Sequence, residues 1–471
     1  MSQDINLDFL NSDFHKSAKN IFQKFYKNEY KMEDVLFPKS EMVLEGDEFF
    51  KKIWYEIDQA KTYVWMLTYA FNNSETANTT FLKMIEACKR GCNVVLFVDD
   101  LQNHVNKQLL SEFEKYGGLF KSLNPTYRHM YKNIPSQEFF RRHHEKILVI
   151  DNYACIGSAN IEDCYGGYKY GTHEFYDINY MSKNMNLSRF RNHISQTADL
   201  YGLQLNKYNQ SNIETCQILE KLYPDSDYVD FQTLVRKNHQ PNVKDCQNEV
   251  IKQINSAQDN IVMIQPYYYP MKEFDDILIK ALKRGVKVEL ITSQNRDQPA
   301  YAKLSNKNLM KNLIEHGCKV YEITDRLLHM KTYMVDNKHF TVGSFNNDRW
   351  SWRVNNEMNL FIFNSEKESQ KMQQIIDHVK AESVELEKSK KIPGIVRQFK
   401  SKFWELFLYL SETIMSKNKR LGDGPKYNLY DYRSFPDINI DYWQSFRNPD
   451  FKTNNPFRKY YKPFDEDSNS I

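Results

Sequence analysis

The sequence lacks a long apolar run. No stretch of 18 or more apolar residues occurs anywhere in the chain, so we expect no helix that spans a bilayer. The first thirty residues include Asp4, Asp8 and Asp13 and have no apolar core of the kind that a signal peptide needs. They are also too acidic for a clear transit peptide, so no targeting signal can be read from them.

Cysteine pairs and an excess of one charge are lacking as well. The seven cysteines are odd in number and form no C-x-x-C pattern, which predicts reduced, partly buried thiols in a non-oxidising compartment. Lysine and arginine (64) nearly balance aspartate and glutamate (61), giving a net charge of +3. Since so small an excess gives no general attraction to a polyanion, we expect no nucleic-acid partner.

Strand and helix patterns alternate along the chain, and the series occurs twice. Helical spacing at 47–60 and 79–90 alternates with apolar strand-like runs at 63–71 and 94–98, which predicts an α/β sheet covered on both faces. The later series comprises helices at 249–257 and 273–284 and strands at 261–264 and 286–291. The common shift indicates an internal duplication of about 190 residues, far longer than a solenoid repeat.

A polar cluster repeats with nearly the same shift. His144, Lys146 and Asp151 form an H-x-K-x4-D pattern, followed by Gly157-Ser158-Ala159-Asn160. The pattern returns 185 residues later as His329, Lys331 and Asp336, followed by Gly343-Ser344-Phe345-Asn346. One His-x-Lys pair alone is more often a surface strand without function, but a doubled cluster with matching flanks is hard to explain by chance.

These residue types favour chemistry on a phosphate group. An imidazole can attack phosphorus or carry a proton near neutrality, and a lysine two positions along a strand lies on the same side. One histidine can form a phosphohistidine while the other protonates the leaving alcohol and later deprotonates the incoming one. Lysine and asparagine can balance the developing charge, so we expect no metal and no cofactor. A zinc site at His143 and His144 is the alternative, but no partner Cys or His spacing supports it.

The doubled motif resembles the phospholipase D superfamily, most closely its cardiolipin synthase branch, over residues 40–364. This resemblance implies two duplicated α/β lobes, each a mixed sheet flanked by helices, with the active site between the lobes. It also implies the roles of the site residues. His144 and His329 would be the nucleophile and acid, Lys146 and Lys331 would bind phosphate, Asn160, Asn346, Ser158 and Ser344 would assist, Glu174 and Glu357 would orient the histidines, and Asp151 and Asp336 would be structural.

Two departures from the family pattern leave these groups in place. Five residues separate Asp151 from Gly157, one fewer than in the second copy, and Trp350 stands where the family tends to have an arginine, with Arg349 one place earlier. Family precedent favours the first-copy histidine as nucleophile, whereas the residues themselves leave both open.

The predicted organisation has six parts. They are an N-terminal arm (1–38), a first lobe (39–182), a connector (183–245), a second lobe (246–364), a helical extension (365–420) and an aromatic-rich extended tail (421–471). The apolar stripe at 395–415, flanked by Lys and Arg, predicts either an interfacial helix on anionic lipid or a helix packed on the catalytic core. The aromatic residues of the tail follow no helical or strand spacing, which predicts that the tail docks to protein partners.

The resulting hypothesis is phosphatidyl transfer that makes cardiolipin from phosphatidylglycerol and a second phospholipid, either phosphatidylglycerol or CDP-diacylglycerol. The alternatives are a non-catalytic or dual-role subunit of a mitochondrial membrane complex, a hydrolytic phospholipase D, a phosphatidylserine synthase and a nuclease. Resemblance to eukaryotic relatives predicts a peripheral location at the mitochondrial inner membrane.

Overall fold

Two mixed β-sheets with flanking helices make up the part of the chain that the computed structural model describes. This part comprises residues 39–125, 141–167, 175–183, 185–205, 229, 232–239, 243–293, 310–324 and 326–386. The predicted N-terminal arm (1–38), the stripe at 395–415 and the tail (421–471) lie outside it.

The first lobe carries a seven-stranded sheet in the order β1-β10-β8-β7-β2-β4-β6. Its elements are β1 (Lys39–Val43), α1 (Gly46–Gln59), β2 (Tyr63–Thr68), β3 (Phe71–Asn72), α2 (Glu75–Lys89), β4 (Asn93–Asp99), β5 (Asn103–His104), α3 (Lys107–Lys115), β6 (Leu119–Leu123), β7 (Ile147–Ile150), β8 (Tyr153–Gly157), β9 (Phe175–Tyr176), β10 (Asn179–Lys183) and α4 (Ser188–Leu200).

The second lobe carries a nine-stranded sheet in the order β12-β11-β19-β18-β17-β13-β14-β15-β20. Its elements are β11 (Thr233–His239), β12 (Val243–Lys244), α5 (Asp245–Ser256), β13 (Asn260–Ile264), α6 (Lys272–Lys283), β14 (Lys287–Ser293), β15 (Lys319–Ile323), β16 (Leu327–Leu328), β17 (Thr332–Val335), β18 (His339–Gly343), α7 (Arg349–Arg353), β19 (Glu357–Phe363), α8 (Glu366–Ala381) and β20 (Ser383–Glu385).

The two sheets repeat one topology. In each, a central strand (β2 or β13) pairs in parallel with the strand after the next helix and antiparallel with the strand that follows the His-x-Lys motif. The hairpin after each His-x-Lys motif and the next strand beside it also occur in the same order, β7-β8-β10 in one sheet and β17-β18-β19 in the other. The duplicated mixed α/β fold predicted from the sequence is therefore present.

The sheets share one apolar core, which explains why their strands read as continuous apolar runs. Along β2, Trp65 and Leu67 enter a core that also contains Val262 and Ile264 of β13. The alternate residues of β2 face the helices of their own lobe. Since both faces of each central strand are buried, the hydrophobic pattern of these strands loses its alternation. This shared core packs the two lobes against each other.

The second sheet extends beyond the predicted lobe boundaries of 246 and 364. Strand β11 lies in the predicted connector and pairs antiparallel with β19, and β20 pairs with β15 after helix α8. Helix α8 contributes to the shared core, so it is part of the lobe rather than of an extension. Strand β11 was not predicted because its buried residues, Leu234 and Val235, lie in a segment that also contains Arg, Lys and Asn and has no apolar run.

No described helix is long and apolar enough to cross a membrane. Six of the cysteines lie in the described residues, and none of these six is paired in a disulfide.

Candidate active site

The two motif histidines occupy equivalent places in the two sheets. His144 lies three residues before β7, and His329 lies three residues before β17. Their side chains are almost fully buried, with 8% and 6% of the surface exposed. Because β7 and β17 are central strands, each histidine is held on a rigid support.

Backbone hydrogen bonds tie each histidine to the opposite lobe. The His144 N–H donates to the Asn356 carbonyl at 3.0 Å, and the Asn356 N–H donates back to the Arg142 carbonyl at 2.9 Å. The His329 N–H donates to the Tyr176 carbonyl at 2.7 Å. Strands β9 and β16 pair in parallel at the same place, which joins the two lobes through a short two-stranded sheet.

A carboxylate from the opposite lobe holds each imidazole ring. His144 Nδ1 lies 2.9 Å from Glu357 Oε2, and His329 Nδ1 lies 2.8 Å from Asp177 Oδ1. An ionised carboxylate only accepts hydrogen bonds, so each Nδ1 carries the proton and each Nε2 is left for chemistry. The site is therefore assembled crosswise, and neither lobe supplies both a motif histidine and the carboxylate that holds it.

Asp177 is a site residue that sequence reasoning missed. Glu174, the carboxylate predicted for the first copy, lies outside the described residues. Asp177 takes the place that Glu357 has in the second copy, because Asn179 pairs with Gly157 as Asn359 pairs with Gly343. The signal was a shared carboxylate-x-Asn pattern, Asp177-Ile178-Asn179 and Glu357-Met358-Asn359, in the strand that pairs with the Gly-Ser turn.

The motif serines support the carboxylate segments. Ser344 Oγ donates to Glu357 Oε2 and Ser351 Oγ donates to Glu357 Oε1, both at 2.5 Å. Ser158 Oγ accepts the Ile178 N–H at 3.0 Å, directly beside Asp177. The serines thus fix the groups that orient the histidines. Ser351 was not among the predicted site residues.

The glycines before these serines allow the strands to approach closely. A Cβ on Gly157 would meet the side-chain oxygen of Asn179, and a Cβ on Gly343 would meet that of Asn359. The same Asn359 oxygen accepts the Phe345 N–H at 3.0 Å, which sets the course of the turn. Only glycine leaves room for this contact.

The two lysines lie beside the histidines on the same segments. Lys146 Nζ donates to the His144 carbonyl at 2.7 Å, and Lys331 Nζ donates to the His329 carbonyl at 2.6 Å. Burial lowers the pKa of Lys146 to about 8 against the opposing charges of Glu357 and Asp177. Burial also lowers the pKa of Lys331 well below its usual value. A buried cation of this kind gains most when an anion binds beside it.

The histidine rings are poised as neutral imidazoles. Burial lowers the pKa of His144, with Glu357 opposing the shift. Burial and the Lys331 charge lower the pKa of His329 to about 4, with Asp177 opposing the shift. A bound phosphate anion would raise the pKa of both rings, which allows one of them to act as an acid.

The motif asparagines have unused hydrogen-bonding capacity. Oδ1 of Asn160 and Oδ1 of Asn346 are buried, and neither atom has a hydrogen-bond partner among the described residues. Asn160 Nδ2 donates to the Tyr165 hydroxyl at 2.8 Å. The Tyr165 ring lies edge-on to His329, and the Tyr69 ring lies edge-on to His144, so aromatic walls flank both imidazoles.

The motif aspartates lie away from the histidines, at the turns after β7 and β17. Both adopt positive φ, 44° for Asp151 and 52° for Asp336, a conformation that aspartate tolerates better than most residues. Asp151 accepts the N–H groups of 61–63 at 2.8–3.1 Å, and Asp336 accepts those of 258–260 at 2.8–3.1 Å. Each aspartate therefore anchors the backbone at the start of a central strand, β2 or β13.

A protein-family model matches both lobes of the chain. The model described as "Cardiolipin synthase, PLD-like domain" matches residues 53–165 and 250–380, more than half of the chain. The chain belongs to this family. Each matched segment contains its own His-x-Lys motif, so each lobe corresponds to one copy of the domain.

Among the curated relatives of this family member are bacterial cardiolipin synthases. One from Clostridium perfringens (strain SM101) is 26% identical over 345 residues, covering 69% of this chain and 67% of its own length. One from Listeria welshimeri is 27% identical over 338 residues, covering 69% of this chain and 65% of its own length. The chain thus spans about two thirds of the length of these relatives.

A solved structure supports the fold of the family member. The crystal structure of phosphatidylserine synthase from Haemophilus influenzae Rd KW20 superposes with a TM-score of 0.61 and 14% sequence identity. The match covers 86% of this chain and 99% of the other. At this identity the likeness concerns the fold alone.

Proposed function

We propose that the protein is a phosphatidyltransferase that makes cardiolipin through a phosphohistidine intermediate. The observation that carries the proposal is the crosswise pairing of two buried histidines, His144 with Glu357 and His329 with Asp177, each with a lysine two residues along. The family membership and the names of the bacterial relatives support the lipid substrate class.

In the first step, Nε2 of one histidine attacks the phosphorus of a donor phospholipid. A P–N bond forms, and the P–O bond to the leaving alcohol breaks. The second histidine gives its Nε2 proton to the leaving oxygen, which is an alcohol oxygen of glycerol for a phosphatidylglycerol donor and a phosphate oxygen of CMP for CDP-diacylglycerol. Lys146, Lys331 and the asparagine amides stabilise the charge that develops on the phosphoryl oxygens.

In the second step, a hydroxyl of an acceptor phosphatidylglycerol attacks the same phosphorus. Its proton passes to the second histidine, the P–N bond breaks, and cardiolipin leaves. The two carboxylates keep their histidines in the Nδ1-protonated form throughout, as the aspartate does in a catalytic triad. The almost complete burial of both rings favours transfer to an alcohol, because a site closed to water protects the covalent intermediate from hydrolysis.

The lipid products of the purified protein test this proposal. Incubation with phosphatidylglycerol, with and without CDP-diacylglycerol, followed by mass spectrometry, should give cardiolipin with release of glycerol or CMP. The variants His144→Ala and His329→Ala should give none. Phosphatidic acid as the sole product would favour a hydrolytic phospholipase D. Phosphatidylserine formed from CDP-diacylglycerol and serine would favour the synthase alternative.

The alternative from another class is a non-catalytic or dual-role subunit of a membrane complex. It predicts a folded protein that makes no lipid product under any of these conditions. The presence of histidine, lysine and asparagine in both halves favours the enzyme, since a subunit without catalysis has no need of two buried lysines.

Membrane and protein contacts are part of the proposal and rest on the sequence. We propose that the stripe at 395–415 lies on anionic lipid and that residues 421–471 bind a protein partner. Deletion of 395–420 should abolish co-sedimentation with anionic liposomes, and unchanged binding would contradict the membrane contact. Affinity capture with and without 421–471 tests the second contact.

The mitochondrial inner membrane stays a predicted location. The relatives reported above are bacterial and do not bear on it. Fractionation of the organelle membranes with an antibody to the native protein would test the prediction.

A further inference from the structure

The residue between the histidine and the lysine differs between the two halves of the site. It is Glu145 in the first lobe and Met330 in the second, and both side chains are 0% exposed. Met330 lies in the apolar core that the two sheets share. A carboxylate buried in a comparable position is costly unless other groups compensate its charge.

Helix α4 provides the partner of Glu145. His193 Nε2 lies 3.0 Å from Glu145 Oε1, and the His193 side chain is 2% exposed. His143 Nδ1 lies 3.4 Å from the other carboxylate oxygen and also 3.4 Å from Nδ2 of Asn356. The His143 N–H donates to Asp99 Oδ2 at 2.8 Å. A buried cluster of carboxylates and imidazoles therefore lies directly behind the segment that carries His144.

The second lobe builds the equivalent contact without charge. Helix α8 follows β19 as α4 follows β10, and it places Met372, Ile376 and Val379 in the core that contains Met330. The second lobe is thus built without a buried carboxylate at this position. Since the fold does not require the charge, the Glu145–His193 pair has a local role in the first half of the site.

We infer that the Glu145–His193 pair positions the catalytic groups of the first lobe. The pair fixes the segment of His144 and Lys146 to α4, and the negative charge of Glu145 stabilises the Lys146 ammonium for phosphate binding. The inference deepens the proposed function and rests on it, since it takes a phosphodiester as the ligand. It makes the two halves of the duplicated site unequal.

The charges around Lys146 support this role. The charges of four carboxylates oppose the effect of burial on the pKa of Lys146, and they belong, in order of decreasing effect, to Glu357, Asp177, Glu145 and Asp99. The cation that repels this ammonium is Lys331, and the two catalytic histidines beside it are neutral. Around His193, burial lowers the ring pKa against the effect of Glu145, and Lys237 and His143 lower it further. His193 is therefore neutral at physiological pH, and the negative charge of Glu145 remains available to Lys146.

Tungstate binding measures this effect without lipid chemistry. Tungstate resembles phosphate and keeps its double negative charge from about pH 7 to about pH 10, so a change of affinity reports the protein groups. Calorimetric titrations across this range compare the wild type with Glu145→Gln, with the double variant Glu145→Met/His193→Leu and with the control Met330→Leu. The double variant replaces the buried pair with apolar side chains, as Met330 does in the second lobe, and should therefore fold.

We expect wild-type affinity to fall as the pH rises through the pKa of Lys146, near 8. Both Glu145 variants should show the same fall about one pH unit lower, and Met330→Leu should follow the wild type. Wild-type pH dependence in the folded double variant, or no binding of tungstate to the wild type, would overturn the inference. The proposed function would be overturned, and the inference left intact, if the variants show these shifts in tungstate binding but the wild type makes no lipid product.

Discussion

Nδ1 of His329 lies 2.8 Å from Oδ1 of Asp177, although the two residues are 152 positions apart in the sequence and belong to different lobes. The matching contact between His144 and Glu357 spans 213 residues in the same crosswise sense. The duplication therefore does more than supply two copies of a motif, because each copy supplies the carboxylate that the other requires.

Asp177→Asn should lower kcat by about 100-fold or more, because an amide no longer enforces the Nδ1-protonated tautomer of His329. Glu174→Gln, at the carboxylate that the sequence favoured, is the matched control and should retain near wild-type kcat. Lipid product formation at saturating phosphatidylglycerol measures both. A larger loss in Glu174→Gln than in Asp177→Asn would contradict the assignment of Asp177.

Ser351→Ala should lower both stability and kcat, because it removes one of the two hydroxyl donors to Glu357. A hydrogen bond to a buried charged group contributes about 1.5–3 kcal/mol, so the free energy of unfolding should fall by about that amount. Urea denaturation measures the first effect and single-turnover kinetics the second. Glu357→Gln should have the larger effect on kcat. Equal activity of Ser351→Ala and the wild type would show that the second hydroxyl is dispensable.

Asp151→Ala should destabilise the protein without altering its chemistry. Asp151 accepts three consecutive backbone N–H groups and adopts a positive φ, so alanine loses the acceptors and fits the turn poorly. We expect a loss of about 2–4 kcal/mol in the free energy of unfolding. The kcat of the folded fraction should stay close to that of the wild type. A folded, stable variant with a large loss of kcat would place Asp151 in the catalytic machinery.

The pH dependence of kcat/KM should have an alkaline limit near 8, where free Lys146 loses its proton. The lysine pKa is lowered by burial, so the phosphate-binding ammonium is present below this pH and is lost as the pH rises through it. Lys146→Arg keeps its charge at all accessible pH values and should move the limit upward, at a lower maximal rate because the planar guanidinium fits the site differently. An unchanged limit in the arginine variant would assign the titration to another group.

Much of the fold was accessible from the sequence because its strands are strongly patterned. The apolar run before Thr68, the alternation of helices and strands, and the repeated H-x-K-x4-D motif together indicate a duplicated α/β fold. Strand β11 was not predicted because Leu234 and Val235 are buried within an otherwise polar segment. Its pairing with β19 joins residues far apart in the sequence, such as Leu234 and Phe361, and leaves no local pattern.

The site was accessible only in part. His144, Lys146, His329 and Lys331 stand in a fixed local spacing, whereas Asp177 does not, because the segment between the Gly-Ser turn and the carboxylate is longer in the first copy than in the second. The crosswise pairing follows from how two sheets pack, which no local pattern encodes.

The most direct test of the account is the covalent intermediate itself. Wild-type protein mixed with phosphatidylglycerol, quenched within one turnover in denaturant at mildly alkaline pH and digested there, should yield one peptide that carries a phosphatidyl group on His144 or on His329. The P–N bond of phosphohistidine is labile in acid, and strong alkali would hydrolyse the acyl esters, so this pH keeps the adduct intact for mass spectrometry. Turnover to cardiolipin with no adduct on either histidine, or with activity retained after both are replaced by alanine, would contradict the two-histidine mechanism.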